Sequence, residues 1–270
     1  MDHGSGYISL GTEQLHYLRM GSGKRLLIAF HGYGNDAGLF APFADYLGHE
    51  FTLISVDIPH HGQSKWPENK PFTLGQLKIL IETFKKEARV EKVSLIGYSI
   101  GGRVCLSIIE QMPESIDSAV LISPDGLVFN PFYYFVTRSF VGKGLFRNFL
   151  KNMKRYLPLV DWLKERKIIS ASRYKFGMYY LQTEESREFL LQVWPGMSQI
   201  VPDTRRLKAA IKQYHIPVHI FMGAYDKVIP IAEGKQFERG MKTVKLHIVE
   251  KGHQLLDNDT IPKIAECLLS

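Results

Sequence analysis

The feature that most constrains this chain is a set of short, unbroken apolar runs, of which Leu26-Leu27-Ile28-Ala29-Phe30 is the plainest. A strand with one wet face alternates apolar and polar residues. A run without polar members suits a strand covered on both faces, as in a parallel sheet with helices on either side. Such runs recur, and amphipathic stretches separate them. Strands are expected at 25–30, 51–56, 92–97, 118–122, 218–222 and 245–249. Helices are expected at 39–47, 74–88, 100–111, 203–214, 231–239 and 261–269. A hairpin turning at Gly11-Thr12 precedes them. The alternation fails only between 125 and 202, which is helical in spacing and rich in aromatic and basic residues. The expected fold is therefore α/β. A mostly parallel, twisted sheet flanked by helices forms a core from residues 1–124 and 203–270, and a helical cap, 125–202, is inserted after the sixth core strand.

One strand-to-helix junction carries chemistry. In Val93-Ser94-Leu95-Ile96-Gly97-Tyr98-Ser99-Ile100-Gly101-Gly102 an apolar strand runs into Gly-x-Ser-x-Gly and then into a helical pattern. A serine at such a turn sits on a tight, strained backbone with its hydroxyl exposed beside the N–H groups of a helix N-terminus. A nucleophile needs that exposure, and an oxyanion needs those donors.

Two further residues complete the order Ser…Asp…His. Asp226 follows the strand at 218–222, and His253 follows the strand at 245–249. Sites of open parallel sheets form outside the carboxyl ends of the strands, where Ser99, Asp226 and His253 all fall. Imidazole can take the hydroxyl proton, and a carboxylate on its far nitrogen fixes the tautomer. Asp125, in Ser123-Pro124-Asp125-Gly126, is the rival acid. The glycine-rich turn His31-Gly32-Tyr33-Gly34 after another strand makes the N–H groups of Tyr33 and Ile100 the expected oxyanion donors. His31, Gly32, Tyr98 and Arg103 are candidate substrate-binding residues, His31 also being placed to hydrogen-bond within its own loop. The adjacent His60 and His61 read as part of a turn built on Asp57 and Gly62 rather than as a metal site.

With these residues in view, the chain resembles the α/β-hydrolase-fold serine hydrolases. The resemblance rests on His31-Gly32, the Asp57…Gly62-Gln63-Ser64 loop, Gly97-Tyr98-Ser99-Ile100-Gly101-Gly102, Asp226 and Gly252-His253. It implies a serine hydrolase that needs no cofactor and no metal, acting on a carboxylic ester of moderate size. The elbow through Arg103 is also similar to that of a menaquinone-pathway lyase family, the 2-succinyl-6-hydroxy-2,4-cyclohexadiene-1-carboxylate synthases. There the arginine helps to bind an anionic substrate, so a lyase or C–C hydrolase using the same three residues is the alternative. A non-catalytic ligand-binding member is the third.

Charge is unevenly placed. The net charge is +7, and residues 125–190 hold twelve Lys and Arg against six acids. The same segment carries Phe132, Tyr133, Phe135, Phe140, Phe146 and, further on, Phe176, Tyr179 and Tyr180. Most of these rings should pack the cap, and some should line an apolar pocket for a small-molecule substrate. A basic, aromatic cap also suits weak contact with a membrane surface. No spacing matches a nucleic-acid-binding motif. The first ten residues lack a basic and apolar leader, and the only cysteines, Cys105 and Cys267, read as two buried thiols. Both features point to the cytoplasm.

Overall fold

The computed structural model describes residues 4–167, 174, 178 and 181–269 of the chain. Phe176, Tyr179 and Tyr180 lie outside the described residues. By packing, the chain divides into two units. One comprises Met1–Pro67, Phe72–Phe129 and Gln199–Ser270, and the other Asn130–Ser198 with Glu68–Pro71.

The first unit is built on one eight-stranded sheet. Its strands are β1 (Gly4–Leu10), β2 (Glu13–Met20), β3 (Arg25–Phe30), β4 (Phe51–Val56), β5 (Val93–Tyr98), β6 (Ile116–Ile122), β7 (Val218–Gly223) and β8 (Val244–Val249). They lie in the order β1-β2-β4-β3-β5-β6-β7-β8. The hairpin β1–β2 and the pair β2–β4 are antiparallel. From β4 through β8 every pairing is parallel. Leu27, Ile28, Ala29 and Phe30 are fully buried, as the unbroken run requires.

Helices α1 (Ala44–Leu47), α2 (Leu74–Ala88), α3 (Ile100–Gln111), and later three more, cover the sheet. The expected helix at 39–47 is instead a 3-10 turn, Ala37–Phe43, that runs into α1. Pro42 lies inside it, and a proline there removes an N–H that an α-helical ladder would use. Helix α2 opens on a capping box, in which Thr73 Oγ1 accepts from Gln76 N and the Gln76 side chain accepts from Thr73 N. Cys105 is buried as expected, but Cys267 is only half-buried, and neither is in a disulfide.

The second unit contains α4 (Pro131–Arg138), α5 (Phe140–Lys151), α6 (Met153–Glu165) and α7 (Glu184–Gly196). Asn130, Ser139 and Thr183 cap three of these helices with side-chain oxygens. Trp194 is a packing centre: its ring stacks on Phe146 at 5.2 Å and meets Tyr133 edge-on at 5.4 Å. The Tyr133 hydroxyl donates to the Trp194 carbonyl, which satisfies the buried phenol. This unit holds an apolar cavity of about 500 Å³ whose lining includes Phe132, Phe135, Val136, Leu145 and Phe149. Among the described residues no helix is long and apolar enough to cross a membrane.

Three helices complete the first unit: α8 (Thr204–Tyr214), α9 (Ile231–Glu238) and α10 (Ile261–Leu269). Asp203 caps α8 by accepting from Arg205 N and Arg206 N.

Candidate active site

The turn from β5 into α3 forces Ser99 to φ 53° and ψ −116°. A side chain at that φ is strained by about 1–3 kcal/mol, which surrounding contacts must hold in place. The contacts are visible. Ser99 N donates to Ile122 O on the neighbouring strand, and Ser99 O accepts from Gly102 N and Asp125 N, each at 2.9 Å. Gly101 permits the close crossing of α3 over β3, since a Cβ there would fall 1.9 Å from the Phe30 carbonyl oxygen. At Gly97 a Cβ would fall 2.5 Å from the Gly101 oxygen.

Strands β7 and β8 deliver the other two residues. His253 Nε2 lies 3.1 Å from Ser99 Oγ, and His253 Nδ1 lies 2.8 Å from Asp226 Oδ2. The second carboxylate oxygen of Asp226 accepts from Val228 N at 2.7 Å and Ile229 N at 3.0 Å. The Asp226 side chain is wholly buried, while that of His253 retains 16% exposure. Burial alone would raise the Asp226 pKa. The hydrogen bond and charge of His253, with the Ile229 and Val228 N–H groups, outweigh it and hold the carboxyl below its ordinary value. The arrangement can take a proton from Ser99 and keep the resulting imidazolium beside an anion.

The peptide of His253 is itself held. Its carbonyl accepts from Ser123 Oγ at 3.1 Å and from the Tyr98 hydroxyl at 3.4 Å. The Tyr98 ring lies 5.3 Å from the imidazole. Ser123 was not singled out in the sequence; its signal is a small polar residue at the carboxyl end of a buried parallel strand, next to the serine strand. Tyr98, expected near substrate, is 7% exposed and packs between His253 and Gly32, where a Cβ would fall 2.6 Å from its ring.

The remaining candidates divide clearly. Ile100 opens α3, so its N–H lies in the first turn, which has no intrahelical acceptor. Tyr33 follows β3, the strand paired with β5, in a turn closed by Asn35 N on Gly32 O. His31 is fully buried: its Nδ1 bonds the Gly32 carbonyl at 2.8 Å and its Nε2 accepts from Ile58 N at 3.1 Å. Both ring nitrogens are therefore committed to the loops, which makes the ring neutral and gives it no edge for a substrate. Burial accordingly lowers its pKa. Arg103 is buried with its Nε 3.5 Å from Asp125 Oδ2. The rival acid thus meets an arginine rather than the imidazole.

Asp57 anchors the neighbouring loop. It accepts from Ala37 N and Gln63 N and pairs with His16 Nδ1 at 2.8 Å. Gly62 at φ +50° belongs to that turn, because a Cβ would fall 2.1 Å from the Asp57 carboxylate. His61 Nδ1 bonds the Pro59 carbonyl, and burial with His31 nearby pushes its pKa down to about 3.

Comparison with known proteins fits this geometry. A family model described as serine aminopeptidase, S33, matches residues 21–260. The dihydrolipoyllysine-residue acetyltransferase component of the acetoin cleaving system of Cupriavidus necator is 27% identical over 247 residues, covering 89% of this chain. The chain spans only 62% of that relative's length. A pimeloyl-[acyl-carrier protein] methyl ester esterase of Pseudoalteromonas atlantica is 24% identical, covering 78% of this chain and 80% of its own. Among solved structures, the 2-hydroxy-6-oxo-6-phenylhexa-2,4-dienoate hydrolase of Rhodococcus sp. strain RHA1 superposes with a TM-score of 0.66 at 20% identity, covering 100% of this chain and 99% of its own.

Proposed function

This chain belongs to the α/β-hydrolase family described as serine aminopeptidase, S33, and on that premise we propose that it hydrolyses a carboxylic ester of moderate size with an apolar acyl or alcohol part. The observation that carries the reading is the unbroken relay from Ser99 Oγ through His253 to Asp226. Ser99 Oγ attacks the acyl carbonyl while His253 Nε2 takes its proton. The N–H groups of Tyr33 and Ile100 hold the developing oxyanion. The tetrahedral adduct collapses, His253 returns the proton to the alcohol, and an acyl-serine remains. Water then gives a proton to His253 and attacks the acyl-serine. The acid leaves and Ser99 recovers its proton. Asp226 stays ionised throughout and holds Nδ1–H.

The methyl ester esterase among the relatives supports ester chemistry. The lyase alternative assigns Arg103 to an anionic substrate, and its burial beside Asp125 weighs against that role. The test is hydrolysis of p-nitrophenyl esters from acetate to palmitate by the wild type and by Ser99→Ala. Turnover lost in the variant, with a fluorophosphonate labelling only the wild type, is the expected result. Folded wild-type protein that neither labels nor turns over any ester would end the proposal.

A further inference from the structure

Upstream of Asp226 and His253, the two strands that lead to them and the last helix bring together two imidazoles and a thiol. His219 on β7 and His247 on β8 face each other, with Nδ1 of the first 3.0 Å from Nε2 of the second. Their rings are nearly parallel, 12° apart, with centroids at 5.2 Å. Each imidazole nitrogen lies about 1.1 Å from its ring centre, so this separation places the rings edge to edge. Such an N–H···N bond requires at least one neutral ring with a lone pair directed at its partner. Cys267 on α10 completes the group: one ligand atom from each residue lies within 4.8 Å of the others. Among the described residues it is the only such cluster of three or more His, Cys, Asp or Glu. Phe221 stacks on His247 at 4.4 Å and fixes that ring's plane.

We propose that His219, His247 and Cys267 bind one thiophilic metal ion, zinc in the first instance, at the β8 edge of the sheet. Two imidazoles and a thiolate are the donors zinc favours, and in a tetrahedral site with Zn–N of about 2.0 Å the nitrogens stand ~3.3 Å apart. The contact must open by a few tenths of an ångström, each ring must turn by roughly 35° so that both lone pairs converge on the ion rather than on each other, and the thiol must close towards it. All three residues are partly exposed and β8 is the edge strand, so an ion has a path in and water can fill the fourth position. Binding balances simply. The thiol proton leaves to solvent, and the proton shared between the rings moves to the far nitrogen of its own ring. The ion would pin α10 to the two strands that lead to Asp226 and His253.

Cobalt(II) is the direct probe. Titrated into the intact protein, it should develop thiolate-to-metal absorption that saturates at one equivalent and that zinc then abolishes. Cys267→Ser and His247→Gln should each lose the band, although Cys105 remains in both. Ser99→Ala should keep it, which separates this site from the hydrolytic reading. Zinc should raise the thermal midpoint of wild type and Ser99→Ala and leave that of the two ligand variants unmoved. A titration without a thiolate band, or a band that survives Cys267→Ser, overturns the proposal.

Discussion

Asp226→Asn isolates the role of the carboxylate from its role in the fold. The substitution is nearly isosteric, but it removes one acceptor. The oxygen facing Val228 N and Ile229 N must stay an acceptor, because both donors are backbone groups that cannot turn away. The asparagine oxygen therefore goes there, and its NH₂ group takes the place now 2.8 Å from His253 Nδ1. Two donors cannot share that contact, so His253 shifts to the tautomer protonated at Nε2. The nitrogen 3.1 Å from Ser99 Oγ then carries a hydrogen and cannot accept the hydroxyl proton. A wrong tautomer at such a site costs about 10⁴-fold in kcat, roughly 5.4 kcal/mol at 1.36 kcal/mol per decade. The fold should barely notice, since both backbone donors keep a partner. Asp226→Ala, by contrast, strands two N–H groups at about 1–3 kcal/mol each. The assay is kcat and KM on the best p-nitrophenyl ester, with thermal midpoints of all three proteins. An Asp226→Asn enzyme within tenfold of wild-type kcat, or one whose whole loss lies in KM, refutes the tautomer argument.

Ser99→Gly should abolish turnover as Ser99→Ala does, yet unfold in urea at about 1 kcal/mol higher free energy than Ser99→Ala, because glycine relieves the positive φ. Equal stabilities would mean that the turn stores no strain. Gly62→Ala drives a methyl into the Asp57 carboxylate and should destabilise by about 2–3 kcal/mol; a thermal midpoint at the wild-type value would contradict the loop geometry. Stability should also fall with acid. His31 and His61 both have folded pKa values below the unfolded value of about 6.5, so their contribution is complete above that pH and drains away as pH falls towards the folded values, at up to about 1.4 kcal/mol per pH unit for each. Asp226, also depressed, adds its loss only below the unfolded carboxyl pKa of about 3.9. Urea unfolding between pH 7 and 4 reads the histidine part, and His61→Gln should make that slope shallower.

What could be read from sequence follows the reach of each interaction. The parallel strands were legible because double burial excludes polar residues over a whole run, as at Leu27 to Phe30. Helix α2 was legible at its start, which Thr73 and Gln76 write, whereas nothing in the residue type of Arg89 announces the left-handed cap that ends it. Ser99, Asp226 and His253 were legible because strand ends place them at one edge, a topological consequence that needs no distances. Contacts across the fold were not. That Ser123 holds the His253 carbonyl depends on how β6 meets the loop after β8, 130 residues away. Nor does the sequence reveal that Arg103 spends its charge on Asp125. His219 and His247 sit in strands 28 residues apart, and only parallel register sets their ring nitrogens 3.0 Å from one another.

The same backbone bonds serve fold and site, which limits how far either can vary alone. Ser99 N is tied to Ile122 O, the last residue of β6, and the next residue, Ser123, sends its hydroxyl to the His253 carbonyl. Ser123 N in turn bonds Phe221 O on β7, the strand that leads to Asp226. The end of β6 and the residue after it thus touch the turn of Ser99, the peptide of His253 and the strand that leads to Asp226. A change at Ser123 that leaves the hydroxyl absent, such as Ser123→Ala, removes a hydrogen bond worth about 1 kcal/mol in stability. Its larger effect should fall on the imidazole, which loses one of the two side-chain hydroxyls that hold its peptide carbonyl and keeps the weaker Tyr98 bond beside its own bonds to Ser99 and Asp226. A fall in kcat beyond what that loss of stability entails, with KM unchanged, is the signature of a residue that positions the base; unchanged kcat would leave Ser123 a structural hydroxyl.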